Sequence, residues 1–323
     1  MDTLLSLVNR WQRGFPLVPS PFAAVAGYEG TGETKVIEAF AAARKAGWMA
    51  RLGPVWAPRR LGWSTLAAAR VPPDKLDAVA ECVSIFPEVN HNYAREDEWN
   101  LWFVITSPSE SRGRAILVAI ERALDVPVIA LPLRTEFFVD LGFDLTGEKK
   151  RAPIKAEVPT QASLSAEMEP LVHALSAGLP LVPHPYAAVG EAIGWSEPAV
   201  IAQLEQWIGT RVVRRIGAVV RHRRIGYHDN AMCVWNVPDG EVRAVGERLA
   251  LEPAVSLCYE RFRAPPHWPY NLYAMIHGRD RETVSRERHR LGVELGLDRW
   301  PHRVLFSTKE YKQTGADYTG RER

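Results

Sequence analysis

A chain of 323 residues, 46% hydrophobic and 24% charged with a formal net charge of +2, is long enough for two ordinary cores and excludes a low-complexity or fibrous polymer. Its cysteines, Cys82, Cys233 and Cys258, stand singly without C-x-x-C spacing, which argues against a disulfide frame or a zinc site and fits a reducing compartment. The charge balance gives no ground for nucleic-acid binding by itself. With no basic leader and no apolar run of membrane-spanning length, the expectation is a soluble cytoplasmic protein.

The chain is written twice. Gly14-Phe-Pro-Leu-Val-Pro-Ser-Pro-Phe-Ala-Ala-Val returns as Gly178-Leu-Pro-Leu-Val-Pro-His-Pro-Tyr-Ala-Ala-Val, an offset of 164 residues that also carries Arg51-Leu-Gly onto Arg215-Ile-Gly and Arg59-Arg-Leu-Gly onto Arg223-Arg-Ile-Gly. The offset then becomes 166, and Leu76, Val79, Val83 and Tyr93 fall on Val242, Val245, Leu249 and Tyr259. So long a period means a duplicated domain, not a solenoid.

Each copy opens with three short helices. Leu4 to Trp11, Pro21 to Ala26 and Glu33 to Gly47 correspond to Met168 to Leu175, Pro185 to Ala192 and Ser196 to Ile208. Proline in the first turn of each middle helix and Ser196 with Glu197 at the last are start signals. A basic stretch follows in each copy, Arg51 to Leu61 and Arg215 to Ile225, and is expected to form a hairpin. Helices plus hairpin read as a winged helix-turn-helix.

Next comes β-α-β-β-α-β. In the first copy it runs Trp63 to Val71, Asp74 to Ser84, Val89 to Arg95, Trp99 to Thr106, Ser109 to Leu124 and Pro127 to Arg134. In the second it runs Tyr227 to Val237, a helix opened by Asp239, Val255 to Arg261, Tyr270 to His277, Asp280 to Leu295, and a strand near Arg303 to Ser307. That order is the ferredoxin-like split βαβ, whose helices cover one sheet face and leave the other for a partner or ligand. The expected fold class is α+β, two tandem units, each a helix-turn-helix (1–62, 166–226) followed by a ferredoxin-like domain (63–145, 227–323). A linker over 146–165 carries Lys149-Lys150-Arg151, two prolines and few apolar residues.

A helix-turn-helix raises DNA at once, but recognition needs basic or amide side chains on the third helix. The first unit offers Glu33, Thr34, Lys35 and Glu38 there, the second Ser196, Glu197, Pro198, Gln203 and Glu205. Acids face phosphates unfavourably, so DNA is not the expected partner. The arginines cluster instead on the basic stretches: Arg51, Arg59, Arg60, Arg214, Arg215, Arg221, Arg223 and Arg224. Singly, each reads equally well as a solvated cation; together they suit an anionic ligand at the domain junction.

The stretch Ser256 to Gly278 is the most informative. Strand alternation puts Leu257, Tyr259 and Arg261 on one face and Asn271, Tyr273, Met275 and His277 on one face of the next strand. A histidine, two tyrosines and an arginine on a sheet surface suit a flat aromatic ligand that carries carboxylates.

The strings Arg214-Arg-Ile-Gly-Ala-Val-Val-Arg-His222, Asn230-Ala-Met-Cys-Val-Trp-Asn-Val-Pro238, Cys258-Tyr-Glu-Arg261 and Trp268-Pro-Tyr-Asn-Leu-Tyr-Ala-Met-Ile-His277 closely resemble the sirohaem decarboxylases. These are relatives of the Lrp/AsnC regulators that serve haem d1 synthesis and the alternative haem pathway. Asn90-His-Asn-Tyr-Ala-Arg-Glu96 and Trp99-Asn-Leu-Trp are similar to the partner subunit type, so nearly the whole chain resembles the fused two-domain form of denitrifiers. The resemblance implies loss of CO₂ from the C12 and C18 acetate arms of sirohaem, giving 12,18-didecarboxysirohaem. The iron tetrapyrrole is then substrate, and no separate cofactor or resident metal is expected. One departure stands out. Where members of the second type often read Val-Ser-His-Cys-Tyr, this chain has Val255-Ser-Leu-Cys-Tyr. His91 occupies the matching place in the first unit, and His277 aligns with Thr106, so each half keeps one histidine of the pair.

Sirohaem's many carboxylates call for arginine forks: Arg95 and Arg261 at equivalent strand ends, with Arg59, Arg60, Arg221, His222, Arg223 and Arg224 around them. Trp99, Asn100, His267, Trp268, Tyr270, Asn271, Tyr273 and Met275 are the remaining expected substrate contacts. Leu257, Met275 and Trp268 could wall the reacting carboxylate. Losing CO₂ leaves carbanion character on a methylene, which a positioned histidine can protonate. The expected catalytic residues are therefore His91 and His277, assisted by Tyr93 and Tyr259, while His91, His222 or His277 could instead ligate the substrate's iron. Sister subunits or a second copy are the expected protein partners. The alternative functions are an Lrp/AsnC-like regulator that binds DNA and an acidic or tetrapyrrole effector, and a non-catalytic haem carrier.

Overall fold

The computed structural model describes residues 3–139, 164–221, 225–226, 229–316 and 318–319. The first unit runs α1 (Thr3–Arg10), α2 (Pro21–Glu29), α3 (Glu33–Lys45), β1 (Met49–Trp56), β2 (Trp63–Ala69), α4 (Leu76–Ile85), β3 (Val89–Arg95), β4 (Leu101–Ser107), α5 (Glu110–Leu124) and β5 (Val128–Val139). The second repeats it as α6 (Glu169–Ser176), α7 (Pro185–Ile193), α8 (Glu197–Gly209), β6 (Val213–Val220), β7 (Asp229–Trp235), α9 (Val242–Leu249), β8 (Val255–Arg261), β9 (Leu272–Gly278), α10 (Arg281–Glu294) and β10 (His302–Gln313). Most of the expected linker, and the start of the strand expected from Tyr227, lie outside the described residues. No helix among the described residues is long and apolar enough to cross a membrane.

The two helix-turn-helix parts share a single core. Phe15, Phe22 and Phe40 meet edge to face with centroids 5.3 to 6.2 Å apart, and Leu171, Leu175, Tyr186 and Leu204 of the second unit close the same cluster. Tyr186 donates its hydroxyl to the Pro16 carbonyl at 2.8 Å, which satisfies a phenol buried by that fusion.

The basic stretches are not hairpins. Each contributes one strand, and β1 and β6 pair antiparallel with each other, Gly53 opposite Gly217. The reason is burial. Met49, Leu52 and Trp56 on one strand, and Val213, Ile216, Ala218 and Val220 on the other, belong to the shared core, so the twin strand is a better partner than a polar return strand. In the first unit Pro58 lacks the amide a return strand would need, and Arg59, at φ 62°, turns the chain straight into β2.

The other eight strands close into one barrel in the order β10-β3-β4-β2-β5-β8-β9-β7. Two 12-residue strands make the closure, and both run past their expected ends. β5 pairs with β2 through its first half and with β8 through its second. β10 pairs with β7 and then with β3 in the same way. The sheet face expected to lie open in each unit is therefore met by the other unit's face. Alternation then sorts the side chains. Val89, Leu101, Phe103 and Ile105 face the first unit's helices, while Cys233, Trp235, Leu272 and Ile276 face the second's. Trp102, Leu131, Met232, Val234, Trp268, Tyr273 and Leu305 fill the interior.

Candidate functional site

On β3, Asn92 donates to the Ala80 carbonyl of α4 at 2.8 Å, which fixes the outward row. His91, Tyr93 and Arg95 form the opposite, inward row. The His91 and Tyr93 rings lie 6.2 Å apart, and the Arg95 guanidinium sits 5.9 Å from the Tyr93 centroid. Arg95 crosses to the second unit, donating to the Leu305 carbonyl at 3.1 Å and lying 3.8 Å from Met275 Sδ. On β8 the matching inward row is Leu257, Tyr259 and Arg261. Arg261 lies 5.1 Å over Tyr259 and 5.9 Å over Tyr273, and donates to the Leu131 carbonyl at 3.0 Å. It has no carboxylate partner among the described residues, and burial weakens its hold on its proton. A partly buried guanidinium without an acid is a receptor for a ligand carboxylate.

Both candidate histidines are held by Nδ1. The Asn90 amide nitrogen donates to Thr106 Oγ1 at 3.2 Å, so Asn90 Oδ1 is the atom facing His91, 2.6 Å from Nδ1. That network assigns the proton to Nδ1 and leaves a lone pair on Nε2. Burial, and secondarily the nearby Arg51 guanidinium, push His91 down to about 4, so its ring is neutral near pH 7. In the second unit Ser256 Oγ donates to the Met275 carbonyl at 3.2 Å and lies 2.9 Å from His277 Nδ1, the same tautomer by the same logic. Leu257 and Thr106 stand where the missing second histidine of each unit would be.

The basic stretches reach this rim. Arg59 donates to the Leu133 carbonyl at 3.4 Å, Arg60 is partly buried beside it, and Arg221 is tied by its amide to the Trp48 carbonyl at 2.8 Å. His222, Arg223 and Arg224 lie outside the described residues. Sequence reasoning missed Glu136. It is buried at the extension of β5, ion-paired with Arg214 of β6, and lies opposite Tyr259. Nothing in the local pattern beyond Arg134 signals that the strand continues into the other unit's sheet. Burial and Glu136 together push the Tyr259 phenol up, so it remains an O–H donor.

Other expected contacts gather elsewhere. Asn100 clamps the Val71 backbone (3.0 and 2.8 Å) and Asn271 clamps Val237 (2.9 and 3.0 Å), both at the turn that follows the inward row rather than beside the histidines. Trp99 is buried 6.1 Å from the exposed ring of His267 at that same end. Trp268 is fully buried, donates to Tyr273 OH at 2.7 Å and packs on Trp102 at 5.1 Å, while Tyr270 accepts from Arg303 at 3.1 Å. These side chains form the floor beneath the inward rows. No group of three or more His, Cys, Asp or Glu among the described residues could hold a metal ion.

Comparison with known proteins adds the following. The family described as AsnC-like ligand binding domain matches residues 60–137 and 224–312, and the siroheme decarboxylase NirDL-like HTH domain matches 169–214. The chain is 41% identical over 317 residues to the siroheme decarboxylase NirDL subunit of Paracoccus denitrificans (strain Pd 1222), covering 98% of this chain and 97% of the relative. It is 44% identical over 144 residues to the siroheme decarboxylase NirL subunit of Stutzerimonas stutzeri, covering 45% of this chain and 85% of that shorter one. The crystal structure of the siroheme decarboxylase NirDL in co-complex with an iron-uroporphyrin III analogue superposes with a TM-score of 0.71 at 28% identity, over 98% of this chain and 94% of that one.

Proposed function

The chain belongs to the sirohaem decarboxylases, and from that membership we propose that it removes CO₂ from the C12 and C18 acetate arms of sirohaem at the rim where the inward strand rows meet the arginines. The observation that carries this reading is the pair of strand histidines. Each is fixed through Nδ1 and lies on an inner face that also bears Arg95 or Arg261. In each step the bond between the carboxyl carbon and the methylene breaks. Its electron pair passes into the macrocycle, CO₂ departs, and a proton from an imidazolium Nε2 converts the methylene to a methyl group.

An imidazole held neutral must first gain that proton. Burial is the larger cause of that neutrality and the Arg51 charge the smaller; the carboxylates of a bound polyanion offset the second and so favour the charged acid. Arg261 and Arg95 hold carboxylates that stay, and Leu257 and Met275 offer an apolar neighbour to the one that leaves. Each half-length relative is a separate subunit, and the two units here stand to one another as such subunits would.

Anaerobic incubation with sirohaem, read by mass spectrometry, should show loss of the mass of two CO₂. His91→Ala and His277→Ala should each keep the fold and slow decarboxylation on the order of 10²-fold or more. Slowing without change in the pigment's visible spectrum identifies a proton donor, whereas a spectral change identifies an iron ligand. Parental rates in both variants would sink the site assignment.

A further inference from the structure

The two halves of the barrel share one plan, because the exchange of units carries the strand order onto itself, and they differ in charge. β1 and β6 are each eight residues long and pair with one another, and their second residues are Ala50 and Arg214. β5 and β10 are each twelve residues long, and the corresponding residue of each is a glutamate, Glu136 or Glu310. Each glutamate stands opposite the inward tyrosine of the other unit, Glu136 opposite Tyr259 and Glu310 opposite Tyr93. In one half only, an arginine completes the set. Arg214 ion-pairs Glu136, with side chains 18% and 8% exposed, whereas Glu310 has no ion pair among the described residues.

Arg214 is also connected to the His91 side of the site. Its charge acts on Tyr318, whose hydroxyl bonds Ser64. Ser64 faces Thr106 across the ladder, and Thr106 accepts from the asparagine that holds His91.

We infer that the Glu136–Arg214 pair orients the macrocycle, fixing which way round it enters a nearly two-fold cleft and so which acetate arm reacts first. The inference rests on the decarboxylase reading above. A flat ligand with four similar quadrants has placements of similar energy in a cleft whose halves match. One charge-assisted hydrogen bond available in a single half separates them by roughly tenfold or more. Glu136 acts through Arg214: it holds a long side chain from the helix-turn-helix part at one spot before substrate arrives, so less freedom is lost on binding. Glu136 is a positioning residue, and the donors presented to the ligand are the Arg214 guanidinium and the Tyr259 hydroxyl.

The test is the identity of the first product. Sub-stoichiometric turnover is quenched early, and the two mono-decarboxylated isomers are separated and quantified for the parent, Glu136→Gln, the charge-free double variant Glu136→Gln/Arg214→Met, and Ala50→Arg. The double variant leaves no lone buried charge, so it keeps the test open should the single one fail to fold. The parent should accumulate one isomer in excess. Both Glu136 variants should bring the ratio towards parity and raise KM roughly tenfold with a smaller change in kcat. Ala50→Arg, by making the halves alike, should also erode the excess. An equal mixture from the parent, or a parental ratio and KM in the Glu136 variants, overturns the inference. No CO₂ release from the parent would instead overturn the decarboxylase reading.

Discussion

At the scale of single residues, His91 shows how a strand position sets a side chain's charge. An imidazole withdrawn from water, with the Arg51 charge as a second cause, cannot hold an extra proton well, and the Asn90 side-chain oxygen fixes the one it has on Nδ1. The consequence for stability has a definite sign. With the folded value near 4 and the ordinary value at 6.5, the unfolded chain binds more protons between them, so acid favours unfolding in that window. The contribution is complete above the ordinary value and is lost as pH falls towards the folded one. Between about pH 7 and pH 5 it amounts to about 2 kcal/mol. His91→Gln should flatten the pH dependence of denaturant unfolding by that amount, whereas an unchanged slope would show that His91 is not held neutral.

Among the elements, the backbone just past α1 runs very close to the β1–β6 pair. A Cβ on Gly217 would lie 2.3 Å from the Gln12 carbonyl oxygen, backbone against backbone, with no flexible side chain to yield. Gly217→Ala should therefore destabilise by about 1–3 kcal/mol, seen as a lowered Tm. Gly27, inside α2, has open space where a Cβ would go. Gly27→Ala should raise stability by about 0.5–1 kcal/mol through the helix's backbone entropy. Opposite shifts from one chemical change separate close approach from helix propensity, and shifts of the same sign would contradict the geometry.

For the whole molecule, the reciprocal long strands decide behaviour. Phe137 and Phe138 of β5 belong to the second unit's core, and Tyr311 of β10 packs on the first unit's. Neither half can complete its sheet alone. Residues 1–145 and 166–323 expressed separately should self-associate or aggregate, because each leaves half of a long strand unpaired. Co-expressed, they should co-purify in equal amounts and recover CO₂ release, as light scattering and the sirohaem assay would show. A folded, monomeric single half would refute this.

How much of this was legible in the chain depends on the range over which each feature is written. The duplication, the order of helices and strands, and the inward rows of β3 and β8 follow from offset, capping and alternation, which are properties of neighbouring residues. The unequal pairing of His91 with Leu257, and of Thr106 with His277, is equally visible, because aligned repeats compare positions directly. Other features depend on what each segment meets across the molecule. That β1 seeks β6 instead of turning back is settled by the shared helical core. That β5 and β10 run on past Arg134 and Ser307 is settled by open ladders waiting on the other unit. Glu136 is unremarkable in its local pattern and far in sequence from Arg214, one of the arginines of the basic stretches. Only burial of one unit's face against the other's brings their charges together, and burial is decided by the folded whole.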